Sequence, residues 1–251
     1  MRPHRPQRQG PRRRRSLAAA RTPARRHGRR PGAHAAGLVT LQVYYGGTFD
    51  PVHAGHLAVA RAARDFLGAP VRLVPASVPP HRGPTAASAA DRADLLALAV
   101  AGEPGLAVDT RELQREGPSY TVDTLRGLRA EHGPLAPVAW LVGADAFRGL
   151  ASWHDWRDLF GLAHLVVAVR PGHGLDGLPE ALSAACAGRW AGLPGDLSES
   201  PAGRLFSLDL PPHPASSSEL RRRLAAGDDP GDWLPPPVAA EIRRRGLYRA
   251  A

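Results

Sequence analysis

The chain has 251 residues, enough for one α/β domain with a sizeable core or for two small domains. It carries 33 Arg and no Lys against 23 acidic residues, a formal net charge of +10, and its single cysteine is Cys186. One cysteine excludes an internal disulfide and a multi-cysteine metal site. Because the sequence has neither an apolar run of membrane-spanning length nor a signal-peptide core, we expect a cytoplasmic protein that does not bind membranes.

The excess positive charge lies at the N-terminus. Residues 1–49 hold twelve Arg and no acidic residue, so the rest of the chain has 21 Arg against 23 acids. Residues 1–37 contain almost no large apolar side chain to offset the entropy of ordering, and we predict a disordered extension. Its composition suits phosphate binding or organelle targeting, but we favour a start-site artefact, with translation beginning near Val39 or Val43.

Short apolar runs alternate with helical patterns along residues 38–251, which we predict to form one domain. This alternation predicts an α/β fold: a Rossmann-like, doubly wound parallel sheet of five to six strands, with ligands at the carboxyl ends of the strands. Residues 172–201 are poorly periodic and are predicted to be a surface excursion, and residues 211–251 are predicted to be a C-terminal helical subdomain. The predicted strands are 38–45, 71–75, 106–108, 138–142, 165–169 and 206–210, and the clearest predicted helices are 120–132, 217–226 and 237–245.

The turn between the first predicted strand and helix contains the string GGTFDPVHAGHL at residues 46–57. Glycines in such a turn let the backbone approach a ligand, and the helix N-terminus offers free N–H groups to an anion. His53 and His56 are three residues apart, so both rings can point from the first helical turn towards one phosphate chain. The turn therefore indicates a nucleotide-phosphate site.

The same string resembles the His-x-Gly-His signature of nucleotidyltransferases. In its fuller form it is similar to the bacterial nicotinate-nucleotide adenylyltransferases, which act in NAD synthesis. This resemblance implies that His53 and His56 are catalytic and bind the ATP phosphates. It also implies ATP contacts for other residues of the turn, namely Gly46, Gly47, Thr48 and Phe49.

Three later segments resemble the same family on the side of ATP. Residues 215–221, ASSSELR, resemble its Ile-Ser-Ser/Ala-Thr-x-Ile-Arg motif, with Ala and Ser in place of Ile and Thr. Residues 143–145 resemble its Gly-x-Asp at the adenosine, and residues 170–172 its Arg-Pro-Gly turn beside ATP. The implied ATP ligands are Gly143, Asp145, Arg170, Ser217, Ser218 and Arg221, the last of them also catalytic.

Three further segments resemble the family's pyridine-nucleotide side. Residues 119–121, SYT, resemble the Ser-Tyr-Thr that holds the nicotinate carboxylate, and residues 78–82, VPPHR, match the loop over the substrate. Residues 152–156, SWHDW, resemble a motif whose tryptophan stacks on the nicotinate ring; a core position for Trp153 is the alternative, and the role of His154 is open. The implied ligands of nicotinate mononucleotide are His81, Arg82, Ser119, Tyr120, Thr121 and Trp153.

These matches lead us to expect adenylyl transfer from ATP to nicotinate mononucleotide. With no lysine and no recognisable activated Ser or Cys, a covalent intermediate is not expected, and the acceptor phosphate would attack the α-phosphorus of ATP in line. We expect Mg²⁺ to be bound through the ATP phosphates and no metal site built by the protein.

Two alternatives stay open at this stage. The acceptor of the same superfamily chemistry could be nicotinamide mononucleotide or phosphopantetheine. The chain could instead be a nucleic-acid-binding protein that uses its Arg-rich segment, although the slight acidic excess of residues 50–251 argues against specific nucleic-acid binding. The sequence does not indicate an oligomeric state.

Overall fold

The structure is a computed structural model, and it describes residues 40–80, 83–170 and 174–249. The predicted extension at residues 1–37 lies outside this part of the chain. The strands are β1 (Gln42–Gly47), β2 (Val71–Pro75), β3 (Leu106–Val108), β4 (Val138–Gly143), β5 (His164–Val169) and β6 (Leu205–Asp209). The helices are α1 (Ala54–Leu67), α2 (Ala89–Val100), α3 (Thr121–His132), α4 (Ala144–Arg148), α5 (Leu159–Leu162), α6 (Glu180–Cys186), α7 (Ser217–Ala226) and α8 (Pro236–Arg245).

The six strands form one sheet in the order β3-β2-β1-β4-β5-β6, and every pair of neighbours is parallel. The strand order reverses between β1 and β4, so the connections that leave their carboxyl ends diverge and open a crevice there. This arrangement confirms the predicted Rossmann-like, doubly wound parallel sheet. Over the described residues, no helix is both long enough and apolar enough to span a membrane.

The sheet is covered on both faces, because alternate residues of each strand point in opposite directions. Val43 and Tyr45 of β1 belong to one apolar cluster, whereas Tyr44 between them belongs to the other. Helices α1, α2, α7 and α8 contribute buried residues to the first cluster, and helices α3 and α6 contribute buried residues to the second. Because helices cover both faces, the sheet is open to a ligand at the ends of its strands.

Two predictions from the sequence differ from the structure. Strand β1 was predicted at 38–45 but continues through Gly46 and Gly47, which pair with Val74 and Pro75 although they bring no apolar side chains. The segment 172–201 was predicted as an irregular excursion, yet it contains α6. Leu182 and Cys186 of that helix are buried, and one apolar pair four residues apart is too short a repeat to reveal a helix by periodicity.

Candidate active site

A cleft of about 630 Å³ opens at the carboxyl ends of the central strands. Its walls come from the β1–α1 turn, the segments that follow β2 and β3, the end of β4 and the start of α7. The lining contains fourteen of the residues predicted for the site: Gly46, Gly47, Thr48, Phe49, His56, Ser119, Tyr120, Thr121, Gly143, Asp145, Trp153, Arg170, Ser217 and Arg221.

Four predicted site residues lie elsewhere or outside the described chain. His53 is 3% exposed and lies behind His56 rather than on the cleft wall. Ser218 is exposed and accepts a hydrogen bond from Nη2 of Arg221 at 3.4 Å. His81 and Arg82 fall outside the described residues. The ligand contacts assigned to all of these residues remain predictions.

The end of β1 is glycine because an aromatic ring occupies the space above its backbone. A Cβ atom on Gly46 would lie 2.1 Å from the Trp140 ring of the adjacent strand β4. Phe49 then turns the chain with a left-handed φ of 50°, and its buried ring meets His56 edge-on at 5.0 Å. Any larger residue at 46 would displace the wall that Trp140 forms.

The two histidines are fixed against each other at the start of α1. The backbone N–H of His53 donates to Nδ1 of His56 at 3.3 Å, and the two rings stack with centroids 3.7 Å apart. Because Nδ1 of His56 is the acceptor, the proton of the neutral ring belongs on Nε2. A Cβ atom on Gly55 would lie 3.0 Å from the His53 ring, so this glycine lets the ring fold against the helix.

His53 is neutral in the free protein at pH 7. Burial lowers its pKa to about 3, and Arg170 and His213 lower it by smaller amounts. Its Nδ1 atom is buried and finds no hydrogen-bond partner among the described residues. His53 therefore places a neutral imidazole directly behind the ring of His56.

Helix α7 is hydrogen-bonded to the β1–α1 turn. Nη1 of Arg221 donates to the carbonyl of Asp50 at 2.6 Å, and the hydroxyl of Ser217 donates to the carbonyl of Pro51 at 3.0 Å. Ser216, and not Ser217, caps the helix by accepting the N–H of Glu219. The two predicted phosphate motifs, far apart in sequence, thus share one wall of the cleft.

The opposite wall contains the segments predicted for the pyridine nucleotide. The hydroxyl of Ser119 accepts the backbone N–H groups of Ser77 at 2.9 Å and Val78 at 3.3 Å, which joins the segment after β2 to the start of α3. Tyr120 faces the cleft and lies against the ring of His154, with centroids 4.5 Å apart. His154, whose role the sequence left open, therefore also belongs to this wall.

The two tryptophans of the SWHDW segment have different environments. Trp156 is 7% exposed, meets Phe160 edge-on at 6.2 Å and belongs to the apolar core. Trp153 is partly buried against the same core but also lines the cleft. Of the two tryptophans, Trp153 therefore lines the cleft, whereas Trp156 belongs to the core.

Comparisons with known proteins identify the family. The cytidylyltransferase-like family model matches residues 44–223. A protein of Stenotrophomonas maltophilia named "Probable nicotinate-nucleotide adenylyltransferase" is 52% identical over 222 residues, covering 85% of this chain and 99% of the relative. One of Laribacter hongkongensis with the same name is 52% identical over 211 residues, covering 82% and 93%.

The chain belongs to the nicotinate-nucleotide adenylyltransferase family. It is a nucleotidyltransferase, as the sequence predicted. The fold is shared with a Plasmodium falciparum nicotinic acid mononucleotide adenylyltransferase solved in complex with NaAD. That structure is 16% identical, with a TM-score of 0.63, and the match covers 83% of this chain and 97% of that one.

Three buried polar residues of this family member were not recognised as separate features of the sequence. The first is Asp50, which the sequence showed only as part of the glycine-histidine string. Its carboxylate accepts the N–H groups of Ala86 at 2.8 Å and Ala87 at 3.2 Å, and so fixes the segment that leads into α2 beside the phosphate turn.

The second is Arg92 of α2, whose side chain is fully buried. Nη1 donates to the carbonyl of Thr48 at 2.7 Å and Nη2 to the carbonyl of Ser77 at 2.9 Å. The first carbonyl belongs to the predicted ATP wall and the second to the predicted acceptor wall. One guanidinium group therefore sets the spacing of the two walls in this nicotinate-nucleotide adenylyltransferase family member.

The third is Glu112, which lies in the short 3₁₀ segment Arg111–Gln114 and lines the cleft beside Ser119. Its side chain is 4% exposed, and burial raises its pKa to about 7. The hydroxyl of Thr124 donates to Oε1 at 2.6 Å. A glutamate that follows Arg111 in a stretch rich in charged residues resembles an ordinary surface residue in the sequence, so no local signal marks it.

Proposed function

We propose that this chain transfers the adenylyl group of ATP to nicotinate mononucleotide, producing nicotinate adenine dinucleotide and pyrophosphate in NAD biosynthesis. The observation that carries the proposal is a single cleft with two chemically different walls. One wall has the donors suited to a phosphate chain, and the other has aromatic faces and backbone N–H groups suited to a pyridine carboxylate. The relatives from Stenotrophomonas maltophilia and Laribacter hongkongensis are named for this same activity, which supports the proposal.

On the first wall, we assign the triphosphate to the turn at 46–49 and the start of α7. Thr48, His56 and Arg221 all line the cleft. Guanidinium and helix N-terminal N–H groups are well matched to phosphate oxygens, so Ser217 and Arg221 would hold the outgoing pyrophosphate. Gly143, Asp145 and Arg170 lie at the ends of β4 and β5, where the adenosine would extend from the phosphates.

We assign His56 to the α-phosphate at which substitution takes place. Its Nδ1 is used by the backbone of His53, which fixes the ring and directs Nε2–H as a donor. A donor aimed at developing negative charge stabilises the transition state more than the ground state. His53 supports that ring from behind and remains neutral until a phosphate raises its pKa.

On the second wall, we assign the pyridine ring to Trp153 and Tyr120. Both side chains line the cleft, and helix α3 begins beside them at Thr121, where the N-terminal N–H groups of a helix favour a carboxylate. The N–H groups of Ser119 and Tyr120 are already used by the carbonyls of Val78 and Pro118. The 5′-phosphate of the acceptor is already ionised at neutral pH, so it attacks the α-phosphorus without a general base. Catalysis then depends on positioning the two phosphates and on neutralising charge.

The magnesium expected with this reaction would enter with ATP. The described residues contain no group of three or more His, Cys, Asp or Glu side chains that could hold a metal ion. Asp50, the carboxylate next to the phosphate turn, is already occupied by two backbone N–H groups. The residues present therefore fit a Mg²⁺ ion that is held by phosphate oxygens and water, and whose chemistry is to neutralise phosphate charge.

The direct test is pyrophosphate release from ATP with nicotinate mononucleotide as acceptor. Parallel reactions with nicotinamide mononucleotide, with phosphopantetheine, and with CTP in place of ATP establish the specificity. We expect release with ATP and nicotinate mononucleotide at a kcat/KM well above that of every other pair. A higher kcat/KM with another acceptor, or no release with nicotinate mononucleotide, would overturn the proposal.

A further inference from the structure

Glu112 occupies an unusual place for an acidic residue. Its carboxyl group is buried in the wall that we assign to the acceptor, beside Ser119 and Thr121. Burying a carboxyl group costs desolvation free energy unless hydrogen bonds compensate for the lost water. At Glu112, the compensating contacts are made with the elements that form this wall.

The first of these bonds goes to helix α3. Nη2 of Arg115 donates to the hydroxyl oxygen of Thr124 at 2.6 Å, and Thr124 in turn donates its proton to Oε1 of Glu112 at 2.6 Å. Thr124 lies in the first turn of α3, directly after the SYT segment. Glu112 thereby fixes where α3 begins relative to the cleft.

The second contact goes to the segment after β2. The hydroxyl oxygen of Ser119 accepts two backbone N–H groups, from Ser77 and Val78. The hydroxyl group of Ser119 also interacts with the Glu112 carboxyl group and lowers the pKa of Glu112. Through Ser119, Glu112 also holds residues 77 and 78 in place.

We propose that Glu112 is a positioning residue for the acceptor nucleotide, because one buried carboxyl group joins the segment after β2 to the start of α3 through the hydroxyls of Ser119 and Thr124. The inference rests on the proposed function. It concerns affinity for the acceptor and not the chemistry at the α-phosphate. Over the described residues, the hydrogen bond and the ion pair of Glu112 go to Thr124 and Arg115 and not to the ATP wall.

The charge of Glu112 adds a pH dependence to this role. Burial raises the pKa of Glu112 to about 7, Arg115 opposes that rise from 3.9 Å away, and Asp109 adds to it. The groups that contact Glu112 from α3 and from the residues just before it, Thr124 and Ser119, are uncharged hydroxyls. Above pH 7 the wall therefore gains a negative charge where an anionic acceptor must bind, and affinity for nicotinate mononucleotide falls.

The test compares Glu112→Gln, Glu112→Ala and Glu116→Gln with the unchanged protein. Glutamine keeps an oxygen that accepts both hydroxyls but cannot ionise, whereas alanine removes the acceptor. Glu116 is exposed and four residues away, so Glu116→Gln controls for the loss of one negative charge nearby. KM for nicotinate mononucleotide, KM for ATP and kcat are measured from pH 6 to 8.5.

We expect Glu112→Ala to raise KM for nicotinate mononucleotide about tenfold, as for one or two lost hydrogen bonds, while KM for ATP changes less than twofold. Glu112→Gln should match the unchanged protein at pH 6 and lack its rise in KM between pH 7 and 8.5. Titration of the substrate phosphate is common to all variants and cancels in this comparison. Glu116→Gln should follow the unchanged protein throughout.

Equal changes in both KM values for Glu112→Ala, or the same pH profile with Glu112→Gln as with the unchanged protein, would overturn the positioning role. If Glu112→Ala does not fold, as judged by its thermal melt, the isosteric Glu112→Gln decides alone. An unchanged protein without activity on nicotinate mononucleotide would overturn the proposed function itself. The two failures are therefore distinguishable.

Discussion

The two walls of the cleft are built in different ways. The part of the ATP wall assigned to the triphosphate is one contiguous turn, residues 46–56, completed by α7 through two hydrogen bonds to the carbonyls of Asp50 and Pro51. The acceptor wall is assembled from three stretches, at 76–85 (of which 81 and 82 lie outside the described residues), 112–121 and 152–154. Local sequence thus determines the phosphate site, whereas long-range packing determines the acceptor site. Substitutions in the two walls should differ accordingly.

The largest expected effect belongs to the ATP wall. His56→Ala removes the donor that we aim at the α-phosphate, and we expect kcat to fall by roughly 10² to 10³ at unchanged stability. The ring of His56 lines the cleft, so its loss leaves no buried cavity of comparable size. Steady-state pyrophosphate release and a thermal melt measure the two quantities. A variant with near-normal kcat would remove His56 from the chemistry.

The next effect belongs to the residue that joins the two walls. Arg92→Leu leaves the carbonyls of Thr48 and Ser77 without their donors and removes the positive charge beside buried Asp50. We expect a loss in the free energy of unfolding of about 3 to 5 kcal/mol and higher KM values for both substrates.

Urea denaturation measures the loss at Arg92. Arg244→Leu is the matched control, because Arg244 forms an exposed ion pair with Glu241 on α8, which contributes little to stability. If KM rose for only one substrate in Arg92→Leu, the guanidinium would not set the spacing of both walls.

The two walls should also respond to pH in opposite directions. His53 has a pKa of about 3 when folded and 6.5 as a free residue, so its contribution to stability is present above pH 6.5 and is lost as the pH falls. Glu112 has a pKa of about 7 when folded and 4.5 as a free residue, so its contribution is present below pH 4.5 and is lost as the pH rises through 7.

Each group should account for on the order of 2 to 3 kcal/mol at pH 5 and pH 8 respectively. Urea denaturation from pH 5 to 8 checks this. His53→Asn should flatten the acid side of the stability curve, and Glu112→Gln the alkaline side. Parallel curves for the variants and the unchanged protein would contradict both assignments.

The same difference between the walls explains what could be predicted from the sequence. The parallel sheet followed from strand and helix periodicities, and the phosphate turn from glycines and histidines that are adjacent in the chain. Arg92 and Glu112 could not be recognised, because their roles come from carbonyl and hydroxyl groups on other elements, such as Thr48 for Arg92 and Thr124 for Glu112. The burial of His53 was missed for the same reason, since the packing that covers its ring is not encoded within the string itself.

The smallest expected effect separates the two tryptophans of one motif. Trp153→Ala should raise KM for nicotinate mononucleotide about tenfold, the value of one lost stacking contact, with little change in KM for ATP. Trp156→Ala is the matched control: its side chain is 7% exposed in the core, so it should lower the free energy of unfolding by about 3 to 5 kcal/mol. Thermal melts and acceptor titrations distinguish the two outcomes. If Trp153→Ala instead destabilised the fold as much as Trp156→Ala and left KM unchanged, Trp153 would be a core residue, and Tyr120 with His154 would supply the aromatic face of the acceptor wall.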